Sequence, residues 1–353
     1  MDRYIGGEFW YDSNIICRER QLDGNNAYFL SGGQASIQII CDYLNEHDIK
    51  SVLLPAYLCP TILDCFENNK IKWTFYKIKE NFRIDLEDLR SKCINKKAIF
   101  FINYFGFSLT SKEKNIFIEM RNSGRVLIED NVQCLFNKNP IGNFIFNSFR
   151  KFVAYDGCFL YSDYNLEKYL EKYKSRENSR LLIIRRARSM KKEFILSNKG
   201  SERYYLESFN QAEQEYYKGN QPISGDLDEK FSIEHLDWNS IIRKRRENYC
   251  YLVNKIKNIR DITILFPLLE EDQVPLGLPV YIKKEKRNKL KNDLKKNNIF
   301  LPIHWSLSTD KRFESNDREV IMSENILTLV IDQRYSFVDL DYLVDILHSC
   351  LGE

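Results

Sequence analysis

Unbroken apolar runs separated by helical periodicities organise the first 130 residues of this chain. Ser51-Val52-Leu53-Leu54-Pro55, Trp73 to Ile78, Ala98 to Tyr104 and Arg125 to Asp130 read as strands. They are continuous instead of alternating, the pattern of a largely parallel sheet with helices on both faces. Ahead of the first run, Ile39, Ile40, Tyr43 and Leu44 recur at three- and four-residue intervals as a helix, and intervening elements fall at 60–69, 85–89 and 112–122. The fold class predicted is α/β. In such sheets ligands gather at the carboxyl ends of the strands, where Asn103-Tyr104, Asp130 and the turn after Pro55 would lie.

The pattern changes in the second half. Residues 160–230 are charged and tyrosine-rich and read as helices and exposed connections, with Pro222-Ile223-Ser224-Gly225 as a boundary. A long helix is expected over 238–258, then strands at Val280–Ile282, Ile299–Trp305 and Ile326–Ile331, and helices at 284–297 and 337–351. This predicts an N-terminal arm (1–25), a large domain (26–225) and a smaller C-terminal α+β domain (226–353). The aromatic run Tyr4 to Trp10 within the arm is expected to pack on a later domain.

Composition narrows the function classes. A net charge of +3 over 353 residues gives no reason to invoke nucleic acid, and no apolar run is long enough to span a membrane. The basic stretch 283–296 carries Leu290 and Leu294 at helical spacing and reads as a solvated amphipathic helix. Nine cysteines, an odd number without a CxxC pair, suit reduced thiols in a cytoplasmic protein. The four histidines form no HExxH group, so no metal site is expected.

Candidate chemistry lies in Val126 to Gly157. Asp130 ends a buried strand, Gln133 follows three residues later, and Ser148 and Lys151 come about twenty residues on. A buried acid beside an amine can hold pyridoxal 5'-phosphate (PLP). A carboxylate keeps the pyridine nitrogen protonated, and a lysine that burial and nearby positive charge render partly neutral attacks the aldehyde. Asp130 suits the first role, and Lys151, beside Arg150, suits the second. Gln133 can reach the 3-oxygen or the ring face. Ser31-Gly32-Gly33-Gln34 opens a helix whose free N–H groups, with Ser148, can take the phosphate; a plain glycine-containing cap explains the same residues equally well.

The order of these pieces resembles the fold-type-I PLP enzymes, and in particular the DegT-like nucleotide-sugar aminotransferases. The resemblance rests on SGG at 31–33, LLPAY at 53–57, IEDNVQ at 128–133, SFRK at 148–151, RRENY at 245–249, NNIFLPIHW at 297–305 and ILTLVIDQRY at 326–335. It implies a PLP-dependent aminotransferase with its Schiff base at Lys151, pyridoxamine phosphate as intermediate, an amino-acid donor such as glutamate, and a nucleotide-linked keto-sugar as acceptor. It also implies a homodimer. Related sugar dehydratases carry histidine in place of this lysine.

Three departures are visible. Gly33 stands where the family has threonine, Cys59 stands at or near its ring-stacking aromatic, and Tyr155-Asp156-Gly157-Cys158 replaces GEGG. Tyr57 or Tyr104 is expected to take over the stacking role. His304, Arg334 and Tyr104 are candidates for substrate contact; a strand-end histidine and a salt bridge of Arg334 to Asp332 are the structural alternatives for the first two. A PLP enzyme acting on another amino or keto substrate, or a non-catalytic descendant that binds a nucleotide sugar or partner protein, also accommodates the departures.

Overall fold

The computed structural model describes residues 3–12, 15–174, 178–216 and 223–352. Pro222 of the boundary expected from sequence lies outside these residues. The arm carries β1 (Ile5–Gly6). A seven-stranded sheet follows, built from β2 (Tyr28–Leu30), β3 (Ser51–Pro55), β4 (Lys72–Tyr76), β5 (Ala98–Ile102), β6 (Val126–Asp130), β7 (Phe144–Phe146) and β8 (Cys158–Ser162). Its order is β2-β8-β7-β6-β5-β3-β4. From β7 to β4 every pairing is parallel, while β8 runs antiparallel to both β7 and β2. β5 and β6 are buried at every position, as their continuous apolar runs require.

Helices connect and cover these strands: α1 (Gly33–Glu46), α2 (Pro60–Asn68), α3 (Leu86–Lys92), α4 (Ser111–Asn122) and α5 (Glu167–Glu171). Their starts follow local chemistry. Pro60 opens α2, where a missing N–H costs nothing, the Asp85 side chain caps α3, and Thr110 with Glu113 forms a reciprocal capping box on α4. Asp85–Leu89 of the sequence reading is thus a helix with its cap. Beyond β8 come α6 (Ser179–Ser197) and α7 (Glu202–Tyr216), packed through Leu181, Ile184, Ala187, Tyr205, Phe209 and Ala212, then α8 (Leu227–Glu234) and the long α9 (Trp238–Ile256).

The C-terminal part has a three-stranded antiparallel sheet, β12-β10-β9, from β9 (Thr263–Ile264), β10 (Leu278–Tyr281) and β12 (Ile326–Leu329). Packed with it are α10 (Lys284–Lys296), α11 (Asp317–Asn325) and α12 (Phe337–Leu351). Leu290 and Leu294 of the basic helix α10 are buried together with Arg287, which donates to the Ser323 and Ile326 carbonyls, while most of the helix's lysines face outward. The run expected as one strand from Ile299 to Trp305 pairs only over β11 (Ile299–Phe300); the rest is irregular. β11 pairs in parallel with β1, which ties the arm to the C-terminal part. Gly6 makes this pairing possible: its φ is +85°, and a Cβ there would run into the Phe300 carbonyl. No helix among the described residues is long and apolar enough to cross a membrane.

Candidate active site

The parallel strands deliver their carboxyl ends to one edge. Ile102, Asp130 and Phe146 are in register across β5, β6 and β7, so the segments after them emerge side by side. Adjacent residues of β6 point to opposite faces, which separates the two acids of its end. Glu129 accepts hydrogen bonds from the side-chain amides of Asn103 (2.9 Å), Asn131 (3.2 Å) and Asn137 (2.7 Å) and from the N–H groups of Ile141 (2.7 Å) and Gly142 (2.9 Å). It pins the loop that leads into β7, and it has no spare capacity for chemistry.

Asp130 is different. It is buried and accepts one backbone hydrogen bond, from Val132 N–H at 2.8 Å. Burial raises its pKa from 3.8 to about 7, against the opposing pull of that bond and of the Lys151 charge. Lys151 ends a single 3-10 turn, Phe149–Lys151, that follows the buried Ser148. Burial lowers the pKa of its amine, and the Arg150 guanidinium lowers it further. Both members of the pair are therefore displaced toward their neutral forms.

Gln133 reaches back across the same edge. Its Oε1 accepts from Phe105 N–H at 2.8 Å, whereas its buried Nε2 has no partner among the described residues. A buried amide with one end fixed and two unspent donors is costly unless a further acceptor meets it. The start of α1 sits alongside: Gly32 occupies its N-cap without a side-chain cap, and a Cβ on Gly33 would come within 3.3 Å of Val132 Cγ2. Gly32 itself faces open space, and Gln34 is partly exposed, so the first N–H groups of the helix are open to an anion. Ser31 is anchored through its N–H to the Ile223 carbonyl at 2.9 Å.

The other aromatic and polar candidates close the edge from the C-terminal side. Tyr57 is fully buried; its hydroxyl donates to the His304 carbonyl and accepts from Trp305 N–H at 3.1 Å. Tyr104 donates to the Tyr57 carbonyl. The Tyr57 hydroxyl thus joins the end of β3 to segment 304–305, and the Tyr104 hydroxyl joins the ends of β5 and β3 to each other. His304 is buried, with Nδ1 3.0 Å from the Thr328 hydroxyl. Burial and then the Lys151 charge depress its pKa to about 3, so the ring is neutral.

Arg334 takes the structural alternative. It binds Asp332 at 2.8 and 3.0 Å, donates to the Glu8 carbonyl at 3.2 Å, and lies over the rings of Phe9 (4.1 Å) and Trp10 (4.6 Å). Asp156, in the segment that replaces GEGG, is held by two buried arginines, Arg180 and Arg188, the latter at 2.6 Å. Nothing in the local sequence pairs Asp156 with α6. The same holds for Glu8, whose charge acts on Lys151 from an arm that sequence placed against a later domain but gave no part in the chemistry.

No protein-family model and no curated protein matches the chain. Solved structures do. Sugar aminotransferase Spr1654 from Streptococcus pneumoniae, in its PLP form, superposes with a TM-score of 0.70 at 13% identity, over 99% of both chains. PseC of Helicobacter pylori, described as an aminotransferase of pseudoaminic acid biosynthesis, gives 0.68 at 12% identity, over 92% of this chain and 86% of that one. The Escherichia coli GDP-4-keto-6-deoxy-D-mannose-3-dehydratase with hydrated PLP gives 0.66 at 19% identity, over 91% and 87%. From β2 to α12 the chain has the fold-type-I architecture that these sugar-modifying enzymes share.

Proposed function

We propose that this protein is a PLP-dependent aminotransferase that moves an amino group from an amino acid, glutamate in the first instance, to a keto-sugar carried on a nucleotide. One observation carries the reading: at the carboxyl edge of the sheet the buried acid Asp130 feels the charge of Lys151, whose own amine burial and Arg150 displace toward neutrality. The residues present fit the cofactor. Asp130 would face the ring nitrogen, the unspent Nε2 of Gln133 would meet the 3-oxygen, and the N–H groups after Gly32, with Ser31, Gln34 and Ser148, would take the phosphate.

When bound, PLP supplies an aldehyde and a ring that accepts electron density. The chain's own residues do the rest. Lys151 Nζ, partly neutral through burial and the neighbouring Arg150, serves as nucleophile and then carries a proton at the reacting carbon. Asp130, which burial holds toward its neutral form, would ionise beside a cationic partner and pair with it. His304 stays uncharged beside the lysine and can contact substrate without competing for its proton. Arg334 is spent on Asp332, which leaves the donor's carboxylate to other groups.

The lysine separates this reading from sugar dehydration, since the dehydratases the chain resembles carry histidine there. We further propose a cytoplasmic homodimer, on the same resemblance. The ultraviolet-visible spectrum tests the core of the reading. Purified protein supplied with PLP should show an absorption band near the visible edge that borohydride fixes to Lys151 and that added glutamate discharges. A protein that stays colourless with PLP would instead favour a non-catalytic binder, and a Lys151→Ala variant that kept both band and activity would refute the assignment.

A further inference from the structure

Lys151 has weak local support. The 3-10 turn Phe149–Lys151 that carries it is a single turn: Lys151 N–H meets the Ser148 carbonyl only at 3.4 Å, and Phe152 and Val153 N–H donate to the Phe149 carbonyl at 2.8 and 3.0 Å. One turn does not hold its own geometry, because too few bonds repay the dihedrals they fix. Its exit is held from outside. The Phe152 carbonyl, on the residue after the lysine, accepts from Arg245 Nη2 at 3.1 Å and from Gln333 Nε2 at 2.8 Å, and the Arg245 guanidinium lies 4.7 Å from the centre of the Phe152 ring. Arg245 is fully buried on α9. Its other donors reach Gln333 Oε1 at 3.1 Å and the carbonyls of Pro275 and Leu276 at 3.3 and 3.1 Å. Leu276 N–H donates in turn to the Phe105 carbonyl at 2.9 Å, and Phe105 N–H is the donor to Gln133. Gly106 admits this approach: its φ is +96°, and a Cβ there would run into the Val274 carbonyl.

We propose that Arg245 is a positioning residue which, together with Gln333, clamps the Phe152 carbonyl and so fixes where Lys151 stands relative to Gln133. The inference rests on the function proposed above for the use made of that placement, since there the lysine and the glutamine meet one cofactor. Hydrogen bonds run without a gap from Gln133 through Phe105, Leu276 and Arg245 to Phe152. A lysine at 245 could not replace this arrangement: only a planar guanidinium presents donors in several directions at fixed angles, whereas an ammonium gathers its donors on one atom. The arrangement has a cost. Among the described residues no carboxylate bonds Arg245, and burial lowers its pKa to about 10 against the opposing charge of Asp332. Both clamp residues lie on elements after residue 225, on α9 and just past β12, so the packing of the C-terminal part reaches the lysine through one carbonyl.

Hydrogen exchange, followed by peptide mass spectrometry on the full-length protein before any cofactor is added, tests the clamp without chemistry. Arg245→Lys and Gln333→Leu each remove a donor to Phe152. Each should speed exchange of the Phe152 and Val153 N–H groups about tenfold, while peptides from β5 and β6 keep wild-type rates. Gln333 is only half-buried, so its variant keeps the test open should the arginine variant not fold. Wild-type exchange at the turn in Gln333→Leu would overturn the proposal, and so would equal acceleration throughout the chain. With PLP supplied, each variant should lower kcat per bound cofactor about tenfold and leave the donor's KM within about twofold, because the lysine is displaced and the binding groups are not. A loosened turn with unchanged kcat would also overturn it, since the clamp would then serve stability alone. If PLP never binds, the aminotransferase reading fails while the exchange rates still decide whether Arg245 and Gln333 hold the turn.

Discussion

Asp130→Asn offers the sharpest check on the site, because it converts a local electrostatic property into a stability difference. In the cofactor-free protein the carboxyl group is buried with one backbone hydrogen bond, and its pKa rises from 3.8 to about 7. Between those values the folded chain binds a proton that the unfolded chain has released. Stability therefore falls as pH rises through this window and levels off above the folded pKa. The gap between 3.8 and about 7, at ~1.4 kcal/mol per pH unit, corresponds to about 4 kcal/mol. That figure is an upper bound, since Lys151 and water entering the edge relieve part of it. Asparagine has the same shape and no charge, so the variant should match the wild type near pH 4 and exceed it by up to about 4 kcal/mol near pH 8. Urea unfolding at both pH values measures this, with the slope of the transition showing that the unfolded state is the same. Saturating PLP should reverse the order at pH 8, because only the carboxylate gains an ion pair with the ring N–H. Equal stability of the two proteins at every pH, without cofactor, would show that Asp130 is solvated and would remove the argument for its role.

Three further outcomes follow from the geometry. Asp156→Asn removes the carboxylate that the buried Arg188 binds at 2.6 Å and should cost about 3–5 kcal/mol in urea unfolding; a loss under 1 kcal/mol would mean that the pair is hydrated. Because Arg188 and Arg180 hold Asp156 ionised, with its pKa lowered even in full burial, this contribution should persist at neutral pH and disappear only in acid. Tyr57→Phe removes one hydroxyl that serves both the His304 carbonyl and Trp305 N–H, and should lower stability by about 1–3 kcal/mol and raise the substrate KM more than it lowers kcat. The His304 imidazole should show no titration between pH 5 and pH 8 by nuclear magnetic resonance, since burial and Lys151 bring its pKa to about 3; a midpoint near 6.5 would place the ring in water.

The strand ends and the order of the site residues were legible in the sequence because both are local. Continuous apolar runs mark buried parallel strands, and a carboxylate at the end of one must reach the carboxyl edge of the sheet, so Asp130, Tyr104 and the turn after Pro55 arrive together. Capping residues such as Thr110 and Asp85 fixed helix starts in the same local way.

Tertiary structure alone decided which polar groups were spent. Sequence gave Arg334 two roles, and only the packing of Phe9, Trp10 and Asp332 around it selected the structural one. The hydroxyls of Tyr57 and Tyr104 looked unpartnered in the sequence, yet they bind the His304 and Tyr57 carbonyls, contacts between residues more than forty positions apart. Glu129 and Asp130 are adjacent in sequence and equivalent in type. The strand pleat sends one into a net of five donors and leaves the other with a single N–H, which is why only one of them keeps its chemistry. Glu8 shows the limit most clearly. Its place in the fold is set by the pairing of β1 with β11 and by the bonds of its carbonyl to Lys191 and Arg334, residues far away in the chain.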